Sequence, residues 1–226
     1  MKNLIQIAGV IDKEEVKLLM QLGVDYLGFP LRLPVNKEDL TEDEAVEVIK
    51  TITPPHHSVL ITYLNKADEI ISFCDKLNVK IVQLHGDISY DELVKTKTLR
   101  PDLEIIKSLV VASDNYDKLV KIVGTFSPWV DAFITDTFDP VTGAEGATGK
   151  THDWSISKKL VELSPKPVII AGGLNHKNVK QAILEIKPAG VDVHTGVELP
   201  NGRKSAELVK AFVEEAKEGF ALIESL

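Results

Sequence analysis

Short apolar runs rich in β-branched residues alternate with amphipathic stretches of helical period from one end of the chain to the other. The runs predict eight strands, at residues 4–8, 25–29, 58–62, 80–84, 104–110, 130–135, 167–171 and 189–193. The amphipathic stretches predict a helix after each strand, near residues 13–22, 41–52, 66–77, 88–98, 114–124, 155–163, 175–186 and 203–218. No linker rich in Ser, Gly or Pro interrupts the alternation, which predicts one domain over residues 1–226.

Eight consecutive strand–helix units are typical of a TIM (β/α)8 barrel, which is an α/β fold with a closed parallel sheet. Runs such as Val168–Ala171 are apolar throughout, as strands buried on both faces require. A doubly wound open sheet alternates in the same way, but it usually has fewer strands and a glycine-rich turn after the first. In this chain the glycine-containing turns follow the seventh and eighth strands, which favours the barrel.

Two segments, Val168–Leu174 and Val191–Glu198, each run from a predicted strand into glycine. Glycine lets backbone N–H groups approach an anion without a Cβ in the way, and it adopts the positive φ that such turns need. One such unit would carry little information, because many strands end in glycine. Two in tandem, after strands seven and eight of a barrel, predict a phosphate site at Gly172, Gly173 and Gly196.

Composition and charge narrow the class of protein. The 226 residues are 44% hydrophobic and 27% charged, which is typical of a folded globular chain. The net charge of −8 argues against a nucleic-acid surface but allows a local pocket for a small anion. No apolar run reaches the length of a membrane span and the first residues lack a signal-peptide pattern, so we expect a cytoplasmic protein without a membrane partner. The single cysteine, Cys74, lies in an apolar periodic run and is predicted to be a buried structural thiol.

Two long connections follow predicted strands at the end where barrel enzymes bind ligands. The first runs from Pro30 to Leu40 and the second from Thr137 to Trp154. The second contains Gly149 among several glycines, a composition suited to a lid that closes over a substrate. A flexible surface loop is the alternative interpretation.

The motifs at the strand ends, taken together and in order, resemble the phosphoribosylanthranilate isomerase family of tryptophan biosynthesis. That family has Lys-Ile-Cys-Gly, Gln-Leu-His-Gly, Leu-Asp-Thr, Gly-Gly-Thr-Gly-Lys with Phe-Asp-Trp, Ala-Gly-Gly-Leu and Ser-Gly-Val-Glu. This chain has Gln6-Ile-Ala-Gly9, Gln83-Leu-His-Gly86, Thr135-Asp-Thr137, Gly146-Ala-Thr-Gly-Lys150 with His152-Asp-Trp154, Ala171-Gly-Gly-Leu174 and Thr195-Gly-Val-Glu198. The resemblance covers nearly the whole chain.

The resemblance implies an Amadori rearrangement, in which an aminoaldose phosphate becomes an aminoketose through an enolamine. The reaction needs an acid for the ring oxygen, a base for the proton on C2′ and an anchor for the phosphate. In the family an aspartate at the end of strand six is the acid and a cysteine at the end of strand one is the base. By position the acid is Asp136, while the cysteine is replaced by Ala8, which has no ionisable group. Gln6 likewise stands where a lysine is usual.

Two further departures concern substrate contacts. The family has an arginine after strand two that binds the anthranilate carboxylate, and here Arg32 and Lys37 are the positional candidates. A guanidinium holds a carboxylate with two hydrogen bonds and an ammonium does not, so Arg32 is the better match. His194 stands where the family has a small hydroxyl residue. We hypothesise that His194 or His85 compensates for Ala8 as a base, with a phosphate contact as the alternative role for His194.

The site predicted from the sequence therefore has two catalytic and eight binding residues. The catalytic residues are Asp136 and His194, and the substrate- and phosphate-binding residues are Gln83, His85, Arg32, Gly149, Gly172, Gly173, Thr195 and Gly196. No cofactor and no metal are expected, and the partner is a small phosphorylated sugar bound by a monomer or homodimer. Two alternative functions stay open: a divergent relative that acts on a different phosphorylated sugar, and a phosphometabolite-binding protein without catalysis.

Overall fold

A computed structural model describes residues 1–34, 40–112, 114–137 and 154–225. Within these residues eight parallel strands close into a barrel in sequence order, with β1 paired to β8. The strands are β1 (Leu4–Ala8), β2 (Tyr26–Pro30), β3 (His57–Thr62), β4 (Ile81–Leu84), β5 (Glu104–Val111), β6 (Ala132–Thr137), β7 (Val168–Ile170) and β8 (Gly190–Val193). The predicted barrel is confirmed, and each strand boundary lies within two residues of its prediction.

An α-helix follows every strand of this barrel in the described part of the chain. The helices are α1 (Lys13–Gln21), α2 (Glu42–Ile49), α3 (Ala67–Leu77), α4 (Tyr90–Leu99), α5 (Tyr116–Phe126), α6 (Trp154–Leu163), α7 (Val179–Ile186) and α8 (Ala206–Glu224). Short 3-10 turns cover Ser127–Trp129 and Thr195–Val197. No helix among the described residues is long and apolar enough to cross a membrane.

The predicted bounds of the last two helices differ most from the observed ones. The helix predicted from residue 175 begins at Val179, because the side chains of Asn175 and Asn178 hold a separate turn ahead of it. The Asn178 side chain accepts from the Asn175 amide at 2.8 Å and donates to the carbonyl of Gly173 at 3.0 Å. The last helix, predicted over 203–218, begins at Ala206 after the capping residue Ser205 and continues to Glu224.

Two apolar layers hold the barrel together. One fills its interior with inward side chains such as Leu4, Ile61 and Ile134, and the larger one packs the helices onto the outside of the sheet. Because side chains alternate along a strand, the interior positions fall at every second residue and the strand ends bring different inward residues to one mouth. The chemistry of the protein is therefore decided by which polar residues occupy the last inward positions.

Candidate active site

Asp136 lies near the end of β6 and faces the barrel interior. Ala132 and Ile134 of the same strand belong to the interior core, and Asp136 continues their alternation. The residue is only 6% exposed, and its Oδ1 accepts a hydrogen bond from the Thr137 amide at 2.7 Å. Burial raises the pKa of this carboxyl from 3.8 to about 7, against the lowering effect of that hydrogen bond. A carboxyl with such a pKa can donate a proton near neutral pH.

Gln6 of β1 and Gln83 of β4 meet inside the barrel. The Gln6 Nε2 donates to Gln83 Oε1 at 2.8 Å, and Gln83 Nε2 lies 3.1 Å from His85 Nε2. Because the Gln83 oxygen is engaged by Gln6, its amide nitrogen faces the imidazole and donates to it. His85 Nε2 is then the acceptor, and the ring hydrogen of the neutral imidazole is carried by Nδ1.

The His85 ring is held against both Tyr63 and Asp136. It stacks on Tyr63 with ring centroids 5.3 Å apart, and its Nε2 lies 3.7 Å from Asp136 Oδ2. Burial, together with the charge of Lys107, lowers the pKa of His85 to about 3, so the contact with Asp136 involves a neutral ring rather than an ion pair. His85 Nδ1 is buried and has no hydrogen-bond partner among the described residues. Its N–H is therefore left without an acceptor in the described structure.

The glycine loops after β7 and β8 are too tightly packed for any side chain. Gly172 has a φ of +93°, and a Cβ there would lie 2.1 Å from the Thr137 hydroxyl oxygen. A Cβ on Gly196 would lie 2.0 Å from the carbonyl oxygen of Leu174, so the two loops touch directly. Among the described residues the amides of Gly172 and Gly173 donate to no backbone acceptor. Bare N–H groups on adjacent loops are suited to binding an anion.

The two glycine loops and Asp136 line a single small pocket of about 30 Å³. Its walls are formed by Asp136, Ala171, Gly172, Gly173, Leu174, Asp192, Val193, His194, Thr195 and Gly196. The structure thus brings the residue predicted as acid together with the residues predicted to bind phosphate. Gln83 and His85 adjoin this pocket through the contact between His85 and Asp136.

His194 lies on the pocket wall but its ring is engaged on the other side. Its Nε2 is 3.2 Å from Glu198 Oε1, and the same carboxylate oxygen lies 2.6 Å from the buried Lys204 Nζ. The ring packs over Gly9, where an added Cβ would lie 2.1 Å from Nε2. Burial raises the pKa of Glu198, but the hydrogen bonds from His194 and Lys204 outweigh burial and lower the pKa below its usual value. Glu198 is therefore a carboxylate near neutral pH. The role of His194 as a base stays a prediction.

Arg32 is placed away from this pocket. Its Nε donates to Glu42 Oε1 at 2.8 Å, and its guanidinium lies 3.9 Å from the centre of the Phe73 ring. The hydrogen bonds that Glu42 accepts from Arg32 and Lys76 lower the pKa of Glu42 to about 2. In this arrangement Arg32 connects the end of β2 to α2 and α3. Its predicted contact with a substrate carboxylate stays a prediction.

The remaining predicted positions are divided between the barrel and the undescribed segments. Ala8 is buried at the end of β1 and packs beside Gly28, where an added Cβ would lie 3.2 Å from the Ala8 methyl. It presents a methyl group to the mouth where the family has a thiol. Gly149 with its surrounding predicted lid, and Lys37, lie outside the described residues.

The cysteine of this chain is remote from the mouth. Cys74 is buried on α3, where burial raises the pKa of its thiol to about 12, and the prediction of a buried thiol is confirmed. Across the described ranges no three His, Cys, Asp or Glu residues are grouped so that they could hold a metal ion.

Asp192 was not predicted from the sequence as a site residue. It is the inward residue of β8, paired in register with Gln6, and it lines the pocket with Asp136. It is 7% exposed, and burial together with the charge of Asp136 raises its pKa from 3.8 to about 7. The signal was present, since Asp192 is a charged residue between two valines of a strand predicted to be buried.

The fold and the pocket define a (β/α)8 barrel protein in which buried carboxyls face glycine loops suited to an anion. The chain belongs to a particular family of such barrels, because residues 5–215 match the family described as N-(5'phosphoribosyl)anthranilate (PRA) isomerase. The family predicted from the sequence motifs, and with it an isomerase of this type, is confirmed.

Similar proteins support this membership along the full length of the chain. N-(5'-phosphoribosyl)anthranilate isomerase 2 of Methanosarcina mazei is 34% identical over 98% of this chain and 97% of its own length. The crystal structure of phosphoribosyl anthranilate isomerase from Thermotoga maritima has the same fold, with a TM-score of 0.80, 24% identity and coverage of 95% and 98% of the two chains. A phosphoribosyl anthranilate isomerase in complex with reduced 1-(o-carboxyphenylamino)-1-deoxyribulose 5-phosphate superimposes with a TM-score of 0.78 at 22% identity, over 95% and 98% of the two chains.

Proposed function

We propose that this protein catalyses the Amadori rearrangement of N-(5'-phosphoribosyl)anthranilate, a step of tryptophan biosynthesis, with Asp136 as the general acid. The glycine loops at Gly172, Gly173, Thr195 and Gly196 bind the phosphate through backbone N–H groups. The observation that carries this proposal is the shared pocket, in which the Asp136 carboxyl faces both loops. A phosphate anchored there holds the sugar ring beside the carboxyl, as proton transfer requires.

The burial of Asp136 suits the first step of the reaction. To open the furanose ring, an acid must give a proton to the ring oxygen while the bond between that oxygen and C1′ breaks. With a pKa of about 7, a large fraction of Asp136 is protonated near neutral pH. His85 adjoins this carboxyl through its Nε2, which lies 3.7 Å from Asp136 Oδ2, and its unpartnered Nδ1–H is the group that donates to a substrate oxygen in our proposal.

Turnover of freshly prepared N-(5'-phosphoribosyl)anthranilate, followed by the loss of anthranilate fluorescence, tests the proposal. We expect wild-type protein to be active and Asp136→Asn to lose about 10²–10⁴ in kcat. The matched control is Asp131→Asn, at the opposite end of the same strand, where the carboxylate binds Lys97 and the Ile105 amide. Asp131→Asn should keep its kcat. Inactive wild-type protein, or equal losses in the two variants, would overturn the assignment.

A second candidate function is the isomerisation of a different phosphorylated aminoaldose. It is favoured by the position of Arg32, which contacts Glu42 and Phe73 rather than the pocket, and by the methyl group of Ala8 at the mouth. Both features lie at the ends of β1 and β2, so they alter the part of the mouth away from the phosphate loops and leave those loops intact. Competition between N-(5'-phosphoribosyl)anthranilate and other N-substituted ribosylamine phosphates would separate the candidates by the ratio of kcat/KM. Binding of all of them without turnover would instead indicate the non-catalytic alternative.

The location and assembly of the protein are part of the same proposal. We infer a cytoplasmic enzyme that needs no cofactor and acts as a monomer or homodimer. The Thermotoga maritima protein is described as a dimer from which monomers were generated. Light scattering of the purified chain would decide between the two states.

A further inference from the structure

Asp192 occupies the last inward position of β8, and only β7 separates this strand from β6, which carries Asp136. Its strand neighbour Gly190 packs against Leu4 inside the barrel, so the alternation directs Asp192 inward above it. The register pairs Asp192 with Gln6 of β1, the strand that ends in Ala8. Asp192 therefore lies beside the place where the family has its cysteine.

The polar atoms around Asp192 leave one of its oxygens unpaired. Asp192 Oδ1 is buried and has no hydrogen-bond partner among the described residues, and the same is true of Gln6 Oε1. The Gln6 amide nitrogen donates to Gln83 Oε1 at 2.8 Å, and a hydrogen bond from the Gln6 side chain to Asp192 lowers the pKa of that carboxyl. A buried carboxylate oxygen without a donor is costly to maintain, which favours uptake of a proton by this carboxyl, and Asp192 lines the pocket.

We propose that Asp192 is the general base that removes the proton from C2′ of the substrate, in place of the cysteine for which this chain has Ala8. The inference rests on the proposed isomerase function and adds the residue that completes it. Asp136 and Asp192 then form an acid and base pair on one pocket wall, and both lie beside the loops that hold the phosphate.

The proton transfers balance within the isomerisation. Asp136 gives its proton to the ring oxygen as the bond from that oxygen to C1′ breaks, which leaves an iminium between C1′ and the anthranilate nitrogen. Asp192 takes the proton from C2′. The C–H electron pair forms the double bond between C1′ and C2′, and the electron pair of the iminium returns to nitrogen. The enolamine then loses the proton of its C2′ hydroxyl and gains one at C1′, which gives the ketone and restores both carboxyls.

Three other titratable groups at the mouth each make at least one polar contact. His85 is neutral and its Nε2 accepts from Gln83, while His194 Nε2 contacts Glu198 at 3.2 Å. Lys107 Nζ donates to two backbone carbonyls, at 2.9 and 3.2 Å. Within the described part of the mouth, Asp192 is the ionisable group that combines an unpaired atom with a place on the phosphate pocket.

Gln6 affects this same carboxyl. A lysine at the position of Gln6 would put a cation at the register partner of Asp192 and hold the carboxylate ionised and weakly basic. The neutral amide removes that charge. The groups that act on the pKa of Asp192 are burial and Asp136, which raise it, and Gln6 and Lys204, which lower it; the resulting pKa is about 7. A base with that pKa is well matched to proton abstraction near neutral pH.

The decisive experiment combines Asp192→Asn with Ala8→Cys. We expect Asp192→Asn to lower kcat by about 10²–10⁴ and to bind the reduced product analogue, reduced 1-(o-carboxyphenylamino)-1-deoxyribulose 5-phosphate, within roughly threefold of wild type. The double variant should have a kcat at least about tenfold higher than that of Asp192→Asn, because a thiolate at residue 8 supplies a base where the family has its cysteine. Asp192→Asn with Ala8→Ser is the matched control, since a hydroxyl of similar size does not ionise near neutral pH, and it should give no recovery.

Each outcome has a distinct meaning. An active wild type whose Asp192→Asn variant keeps its kcat overturns the inference about Asp192 and leaves the isomerase function intact. Loss of analogue binding in Asp192→Asn, with no recovery from Ala8→Cys, would show a structural role and overturns it too. An inactive wild type overturns the isomerase function and this inference together.

A second variant tests the proposal even if Asp192→Asn does not fold. Gln6→Lys keeps the carboxyl and places a cation beside it, so the acidic limb of the kcat/KM profile should move down by about one pH unit or more. Because Asp136 and Asp192 interact, the measured limbs belong to the pair rather than to either residue alone. An unchanged acidic limb in a folded Gln6→Lys protein would contradict the proposal.

Discussion

The two sides of the barrel mouth differ in how closely they follow the family pattern. The phosphate side, at the ends of β7 and β8, keeps both glycine motifs, and each is required by the packing of Gly172 on Thr137 and of Gly196 on Leu174. The strand-one side, at the ends of β1 and β2, has Ala8 in place of the reactive thiol of the family. Backbone recognition of an anion depends on one loop conformation, whereas a proton-transfer group can be supplied by a neighbouring strand that ends at the same mouth.

Adding a single methyl group should have its largest effect on substrate binding at the phosphate side. In Gly172→Ala the new Cβ meets the Thr137 hydroxyl at 2.1 Å on a backbone with φ of +93°, so the loop must move. We expect KM to rise by about a hundredfold, the cost of losing one or two charge-assisted hydrogen bonds to phosphate. Steady-state kinetics and competition by inorganic phosphate would measure it.

The control for this prediction is Gly202→Ala. Gly202 has a similar φ of +83°, but a Cβ there meets nothing within 4 Å. Both variants carry the strain of a left-handed backbone, about 1–2 kcal/mol, and only Gly172→Ala also distorts the phosphate loop. If KM rises equally in both, the loop after β7 does not bind the phosphate and the contrast between the two sides fails.

The buried carboxyls should make the protein less stable as the pH rises. Asp136 and Asp192 ionise near pH 3.8 in the unfolded chain and near 7 in the folded one, so between these values the folded protein binds more protons. Each protonated carboxyl contributes a few kcal/mol to the free energy of unfolding. This contribution is fully present below about pH 3.8 and is lost as the pH rises through about 7. His85, with its pKa lowered to about 3, acts in the opposite direction between that value and 6.5.

Differences between variants isolate the carboxyl contribution from that of His85. The free energy of unfolding of Asp136→Asn, measured by urea denaturation, should match wild type near pH 4 and exceed it by a few kcal/mol at pH 8. Asp192→Asn should behave alike, and the double variant should gain less than the sum, because the charge of Asp136 raises the pKa of Asp192 only while both carboxyls are present. A stability difference that does not change with pH would refute the shifted pKa values.

The fold could be predicted because it rests on local pattern, and the site only in part because it rests on distant contacts. Strand β1 was predicted at its observed residues since every position is buried. The continuation of α8 past Gly219 could not be predicted, because this glycine permits close packing on α7 instead of ending the helix: a Cβ added there would lie 3.2 Å from Ile183 Cβ. Asp136 and the glycine loops follow from motifs. The pairing of Asp192 with Gln6 needed the barrel to be closed.

Arg32 tests whether the strand-two end binds substrate or supports the fold. Arg32→Ala removes the ion pair with Glu42 and the contact with Phe73, and we expect a loss of about 1 kcal/mol in stability with little change in KM. Glu42→Gln is the matched partner, since it weakens the same ion pair and leaves the guanidinium in place. A KM that rises in Arg32→Ala and stays constant in Glu42→Gln would instead assign the substrate carboxylate to Arg32.

His194 joins the two sides of the mouth, and we expect its substitution to have the smallest effect. Its ring lies over Gly9 of the strand-one side while its Nε2 contacts Glu198 beyond the phosphate loop. His194→Gln keeps a group that donates to Glu198 but cannot act as a base, so kcat should stay within about threefold of wild type if Asp192 removes the proton. The measurement is the pH profile of kcat for wild type, His194→Gln and His194→Ala. A fall of about a hundredfold or more in both variants, with loss of the acidic limb, would make His194 the base and return Asp192 to a supporting role.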